Sequence, residues 1–233
     1  LARGSTVGTL TPAALETYGV LEDLLAIALS PHLRRRGLFL IHAFAASAPI
    51  TNNQFTNPNS KAILLVGSIG SGKTTTGLAL LNASWQLLSN DSPILRAPND
   101  VLSYPGLLAA YPETYTRFPA TAHLAHRALA GEGRAKITAA AESLWPNVWQ
   151  ASAPAAAIFF PQIEARAEHA VEPLRPPDAL KQLLPHAIEQ WDKALMPAHL
   201  ALLTEFAKSV PAYRLRLGPK IEELPELLAR AIL

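Results

Sequence analysis

Gly67-Ser68-Ile69-Gly70-Ser71-Gly72-Lys73-Thr74 fits the pattern G-x-x-x-x-G-K-[ST] at every fixed position. Ahead of it runs Ala62-Ile63-Leu64-Leu65-Val66, a short apolar run of the kind that makes a buried strand. Behind it, Thr74 to Leu81 has the apolar spacing that opens a helix. Strand, glycine loop and helix in this order form a phosphate cradle. The glycines let successive backbone N–H groups turn toward one anion, and the helix N-terminus adds partial positive charge. The pattern assigns Gly67, Ser68, Ile69, Gly70, Ser71, Gly72, Lys73, Thr74 and Thr75 to a nucleoside triphosphate. Lys73 reaches the β- and γ-phosphates, and the Thr74 hydroxyl faces Mg²⁺.

Outward from the loop, Leu38 to Phe44 reads as a strand carrying His42, joined to the loop strand by the Asn-rich segment Thr51 to Ser60. The two make a hairpin-type lead-in. After the loop helix, Gln86 to Asp91 is a second apolar strand ending on polar residues. Ile94-Leu95-Arg96 and Val101 to Tyr104 form a hairpin turning at Pro98-Asn99-Asp100. Arg134 to Ile137, Ala155 to Phe160 and Tyr213 to Leu217 are further strands. Helical spacing covers Leu15 to Arg36, Ala179 to Leu195, Ala198 to Ser209 and Leu224 to Leu233. Pro31 is expected to kink or split the first of these, and Arg34-Arg35-Arg36 before Gly37 reads as its C-terminus. Short strands before helices, with hairpins between, predict an α/β fold with a mixed sheet rather than a regular βαβ ladder.

The chain has 233 residues, of which 49% are hydrophobic, enough for one domain with a full core. Three parts are expected in it: a helical segment over 1–37, a nucleotide-binding core over 38–165 and a mainly helical part over 166–233. A net charge of +2 with no basic run beside aromatics argues against nucleic acid. Zero cysteines exclude disulfides and thiolate chemistry and fit a cytoplasmic protein. No apolar stretch reaches the roughly 18 residues of a spanning helix, so no membrane partner is expected. The chain opens on Leu1 and its one methionine is Met196, so either the natural N-terminus is trimmed or the start codon is read literally, and whether residues precede Leu1 is left open.

Phosphoryl transfer needs a carboxylate for Mg²⁺ and a group to orient the attacking oxygen. Asp91, at a strand end able to point back at Thr74, is the candidate metal carboxylate; a turn aspartate before Ser92-Pro93 is the alternative. Arg134 and Lys136 stand where they can neutralise the γ-phosphate, or lie solvated on an edge. Tyr111, Tyr115, Arg117 and Phe118 are read as acceptor contacts. His123 and His126, three apart, have no third metal ligand near in sequence.

His42, the Gly67 to Thr74 loop and Ser89-Asn90-Asp91, in this order, resemble the HPr kinase/phosphorylase family over roughly Leu38 to Pro105. That resemblance implies a P-loop kinase with a phosphoenolpyruvate-carboxykinase-like catalytic domain, using ATP and Mg²⁺. It implies catalytic roles for Lys73, Asp91 and His42, metal ligation by Thr74 and Asp91, and a hydroxyl acceptor, most plausibly serine, on a protein, peptide or small molecule. A second copy of the chain is left open as a partner. Where the family has two adjacent aspartates this chain has Asn90-Asp91, and an amide cannot take a proton. The glycine-rich signature of true HPr kinases and their separate N-terminal domain have no counterpart here. The resemblance therefore points to a divergent relative with its own acceptor. A nucleotide-binding accessory protein that has lost phosphotransfer is the alternative that Asn90 keeps open.

Overall fold

The computed structural model describes residues 5–13, 20–48, 60–127, 136–165, 167–187 and 192–232. In chain order the elements are α1 (Val20–Arg34), β1 (Leu38–Leu40), β2 (Ala43–Ser47), β3 (Ala62–Val66), α2 (Lys73–Asn82), β4 (Gln86–Ser89), β5 (Ile94–Arg96) and β6 (Asp100–Leu102). They continue with β7 (Leu108–Ala110), α3 (Pro112–Tyr115), β8 (Ile137–Ala139), β9 (Ser152–Ile163), β10 (Ala170–Leu174), α4 (Pro176–Ala187), α5 (Met196–Ser209), β11 (Ala212–Leu217) and α6 (Leu224–Arg230). The fold is mixed α/β. No helix among the described residues is long and apolar enough to cross a membrane.

The long strand β9 organises the sheet. Along one edge it pairs in parallel with β3; along the other it meets β6 antiparallel at Ser152–Pro154 and β11 in parallel from Ile158 to Ile163. From β3 the order runs through β2 to β4, and from β6 through β5 to β1, while β10 closes the far side on β11. Helices cover both faces. Phe44, Ile63 and Leu65 turn toward α2 and α6, where they meet Leu78 and Leu228. The alternating Ala43, Ala45, Leu64 and Val66 turn the other way, onto Leu183, Leu203 and Phe206 of α4 and α5. A strand buried on both faces has no polar side, which is why Ala62–Val66 is an unbroken apolar run.

The expected lead-in hairpin is present, β2 lying antiparallel to β3. Its strand differs from expectation. Leu38 to Phe44 is two strands, and His42 sits at the break between them instead of inside a strand. The cause is a change of partner: β1 pairs with β5, whereas β2 pairs with β3 and β4. Across the break the N–H groups of Ile41, His42 and Ala43 donate to the carbonyls of Pro93, His186 and Asp91. Strand β10 lies within the part expected to be mainly helical. It holds Pro173 and pairs with β11 alone, the edge position a strand proline tolerates. The Thr51 to Asn59 connection, Arg134 with the glycine turn before it, and residues 14–19 lie outside the described residues.

Helix α1 continues through Pro31 to Arg34, and Gly37 follows with φ 73°. Arg35 and Arg36 donate to the Pro31 and His32 carbonyls, as a helix C-terminus predicts. Arg34 does something else. It is 2% exposed, 3.6 Å from the Asp192 carboxylate, and its guanidinium lies 3.2 Å from His199 Nδ1. Phe39 stacks on the His199 ring at 4.5 Å. This buried cluster ties α1 and β1 to α5.

Because Arg34 can only donate, His199 Nδ1 accepts and the ring is neutral with its proton on Nε2. Burial, reinforced by the Arg34 charge, pushes the His199 pKa down to about 4 from 6.5. The unfolded chain therefore takes up a proton that the fold refuses. Stability from neutral His199 is fully present above pH 6.5 and is lost as pH falls toward about 4, amounting to about 3 kcal/mol. Urea unfolding at several pH values, for the wild type and His199→Leu, checks this: their stability difference should shrink by that amount across the window. Parallel curves contradict it.

Candidate functional site

The phosphate-loop pattern becomes a loop because two of its glycines adopt backbone that other residues avoid. Gly70 has φ 82° and Gly72 φ 104°. A Cβ on Gly67 would stand 2.7 Å from the Ser71 hydroxyl, so the first glycine is fixed by close approach instead. Gly72 is the N-cap of α2, with no side chain capping the helix and no acidic residue in its first turn. The leading N–H groups of α2 are thus left to whatever enters the loop. Lys73 is 8% exposed, and its ammonium donates to the loop's own carbonyls, those of Gly67 and Ser68, the second at 3.1 Å.

Strand β4 ends at Ser89, whose hydroxyl donates to the Tyr104 carbonyl and accepts from the Ser92 N–H. That turn carries Asn90 and Asp91 up to the loop. Asp91 Oδ1 lies 3.1 Å from His42 Nδ1. The strand break explains the meeting: His42 N–H is tied to His186 and Ala43 N–H to Asp91, which brings the imidazole beside the carboxylate. His42, Ile69, Gly70, Lys73, Thr74 and Asp91 line one cavity of about 180 Å³, with Tyr111 and Lys136 on its far wall. Lys136 Nζ lies 5.9 Å from the centre of the Tyr111 ring.

The charges of this cavity depend on one another. Burial acts to raise the Asp91 pKa, but the His42 hydrogen bond and the charges of His42, Lys73 and Lys136 together hold it below the ordinary aspartate value. Burial lowers Lys73; Asp91 opposes that shift and Lys136 adds to it. Asp91 is therefore an ionised carboxylate at neutral pH, set among cations. Asn90 is turned differently. Its amide donates to the Leu107 carbonyl at 3.2 Å, while its Oδ1 is buried without a hydrogen-bond partner among the described residues. Asn90 and Asp91 also face an adjoining cavity of about 280 Å³, shared with His42, Thr74, Tyr104 and Lys136.

Of the residues read from sequence, His42, Thr74, Asp91 and Lys136 gather with the loop. Tyr115 and Phe118 do not: they are 0% and 4% exposed and belong to the core behind α2, and Tyr115 donates to the Ile137 carbonyl. Arg117 lines a separate cleft between α2 and β11. His123 and His126 sit in the 3₁₀ turn Ala122–Arg127, and no group of three metal-capable side chains occurs among the described residues. His186 of α4 escaped the reading. Its ring lies 6.0 Å from that of His42, and no spacing signal in Leu183-Leu184-Pro185-His186 marks it.

No family model matches the sequence, and no curated protein matches it. Among solved structures, the chain is similar to the Hpr(Ser) kinase/phosphatase from Coxiella burnetii. Identity is 13%, coverage is 83% of this chain and 87% of that one, and the TM-score is 0.40.

Gly77 sets how α2 carries the loop. A Cβ there would overlap the Phe44 ring of β2. In an open helix Gly→Ala gains about 1 kcal/mol; here overpacking should turn Gly77→Ala into a loss of about 1–3 kcal/mol. Thermal unfolding of Gly77→Ala, Phe44→Leu and the double variant checks this, the second change relieving the first. A stabilised Gly77→Ala would mean that α2 does not press on Phe44.

Proposed function

We propose that this chain is an ATP-dependent phosphotransferase that passes the γ-phosphoryl to a hydroxyl acceptor. The observation that carries the reading is the convergence of His42, Lys73, Thr74 and Asp91 on one cavity at the glycine loop. The residues present fit a nucleotide: the start of α2 is uncapped, Lys73 is buried in the loop, and Gly70 and Gly72 open the backbone. They also fit Mg²⁺, which takes one or two carboxylates and otherwise substrate phosphate oxygens and water. Thr74 and Asp91 would hold that ion, which would supply neutralisation of phosphate charge.

The other steps fall to the protein's own groups. Lys73 leaves the Gly67 and Ser68 carbonyls for the phosphate oxygens, and Lys136 adds a second positive charge. Asp91 accepts the His42 Nδ1 proton as a hydrogen bond, fixing the tautomer that leaves Nε2 with a lone pair. Transfer forms a bond between the acceptor oxygen and the γ-phosphorus and breaks the bond to the β-phosphate oxygen. The hydroxyl proton goes to His42 Nε2. Asn90 borders the adjoining cavity, and a turn of its amide would bring Oδ1 there to accept the hydrogen bond of the incoming hydroxyl and orient it. In a loose, largely dissociative transfer, orientation counts for more than a strong base. Asn90 therefore suits an active enzyme, although it lacks the acid–base capacity of an aspartate.

Single-turnover transfer from γ-labelled ATP to a panel of serine-containing peptides and small hydroxyl compounds tests the proposal. Lys73→Ala should weaken nucleotide binding. Asp91→Asn should keep nucleotide binding but slow transfer at least about a hundredfold, since metal and His42 lose their charge partner. Wild-type turnover in Asp91→Asn would reduce Asp91 to a turn residue. Asn90→Asp should change the rate by no more than about a hundredfold. An inert wild type that Asn90→Asp alone activates would favour the nucleotide-binding accessory protein.

A further inference from the structure

A cavity larger than the one that holds Asp91 also borders the loop. Gly67, Ser68 and Ser71 form one wall of this cavity of about 770 Å³. The end of β9 (Phe160 to Gln162), α4 (Lys181, Gln182, His186) and Arg214 of β11 form the others. Of the lining residues, Ser68 alone also borders the smaller cavity of Asp91. We propose that this second cavity binds a small organic anion, held by Lys181 and Arg214.

Charge argues for an anion. Asp178 lines the cavity and Glu172 is bonded to Arg214 of its wall, and both carboxylates are engaged: Asp178 with Arg175 at 2.9 Å, and Glu172 with Arg216 at 2.8 Å. Arg214 reaches Glu172 through Nη1 at 3.4 Å, a long contact that leaves most of its fork of donors available. No carboxylate of the described residues pairs with Lys181. The imidazole of His186 lies in the same positive field: burial first, then the charges of His42 and Lys73, lower its pKa. Gln162 and Gln182 add amide donors. An organic body is argued from size and lining. A lone oxyanion would leave most of this volume empty, and Phe160, Pro161, Leu174 and Pro185 supply apolar wall. Pockets of this size commonly take small molecules with a few placed polar groups.

Binding here is readable at His186, which faces the cavity and accepts the His42 N–H at 2.8 Å through its carbonyl. The experiment titrates the full chain, free of nucleotide and metal, with phenyl phosphate and with sulfate while following the histidine ring signals by NMR. The expected result is a saturable movement of the His186 signals, with phenyl phosphate binding more tightly than sulfate. Lys181→Glu, an exposed change on α4 that leaves the core alone, should weaken it at least tenfold, and Arg214→Gln should weaken it as well. Lys73→Ala, which removes a more distant charge from the same field, should weaken it less than Lys181→Glu does, because Lys73 does not line this cavity. If the His186 movement disappears in Lys73→Ala and survives Lys181→Glu, the anion sits in the phosphate loop and the proposal fails. It fails equally if His186 does not respond, or if sulfate binds as tightly as phenyl phosphate.

Discussion

The absence of a side chain at Gly77 sets how closely α2 can lie on the sheet. With no Cβ there, the helix backbone approaches the Phe44 ring, in the same core cluster as Leu78 and Leu81. The start of α2 is thereby fixed relative to β2 and β3. The loop between β3 and α2 is short, so the positive φ angles of Gly70 and Gly72 follow from closing it. Everything at the site hangs from that arrangement. Lys73 enters the loop as the first residue of α2, and the break before β2 holds His42 across from it.

Electrostatics in the cavity follow from the same packing. Four titratable groups on four segments (His42, Lys73, Asp91, Lys136) are drawn together; Lys73 is buried, while the His42 and Asp91 side chains open to solvent. A single carboxylate among three such groups stays ionised despite its burial penalty. The arrangement favours anionic oxygens entering the loop, and it leaves Asp91 as the negative group able to face a cation. The two neighbouring cavities divide the surroundings of the loop: one shares His42, Thr74 and Asp91 with the cavity of Lys73, the other shares only Ser68 and carries Lys181 and Arg214.

Much of this was legible in the chain because it depends on local rules. A glycine pattern between an apolar run and a helical period specifies β3, the loop and α2 within one stretch, and Arg35, Arg36 and Gly37 announce a helix end by their chemistry. His42 and Asp91 were identifiable as candidates, but their 3.1 Å contact was not, since it arises from strands exchanging partners around Ile41. The same long-range pairing split the expected strand. Tyr115 and Phe118 were misread because an aromatic near a site and an aromatic under it look alike in sequence. Arg34 and His199, 165 positions apart, form a buried pair that no periodicity encodes. His186 and the cavity it faces likewise exist only once α4 is packed against the ends of β9 and β11.

In the proposed phosphotransferase, the loop from Gly67 to Thr74 receives the phosphates of a nucleoside triphosphate in the cavity shared with His42 and Asp91. The most direct measurement follows backbone amide and histidine ring signals by NMR as ATP with Mg²⁺ is added. Saturable shifts are expected at the amides of Gly70, Gly72, Lys73 and Thr74, accompanied by the His42 ring and the Asp91 amide. Shifts confined to other surfaces, or none at saturating nucleotide, would contradict it.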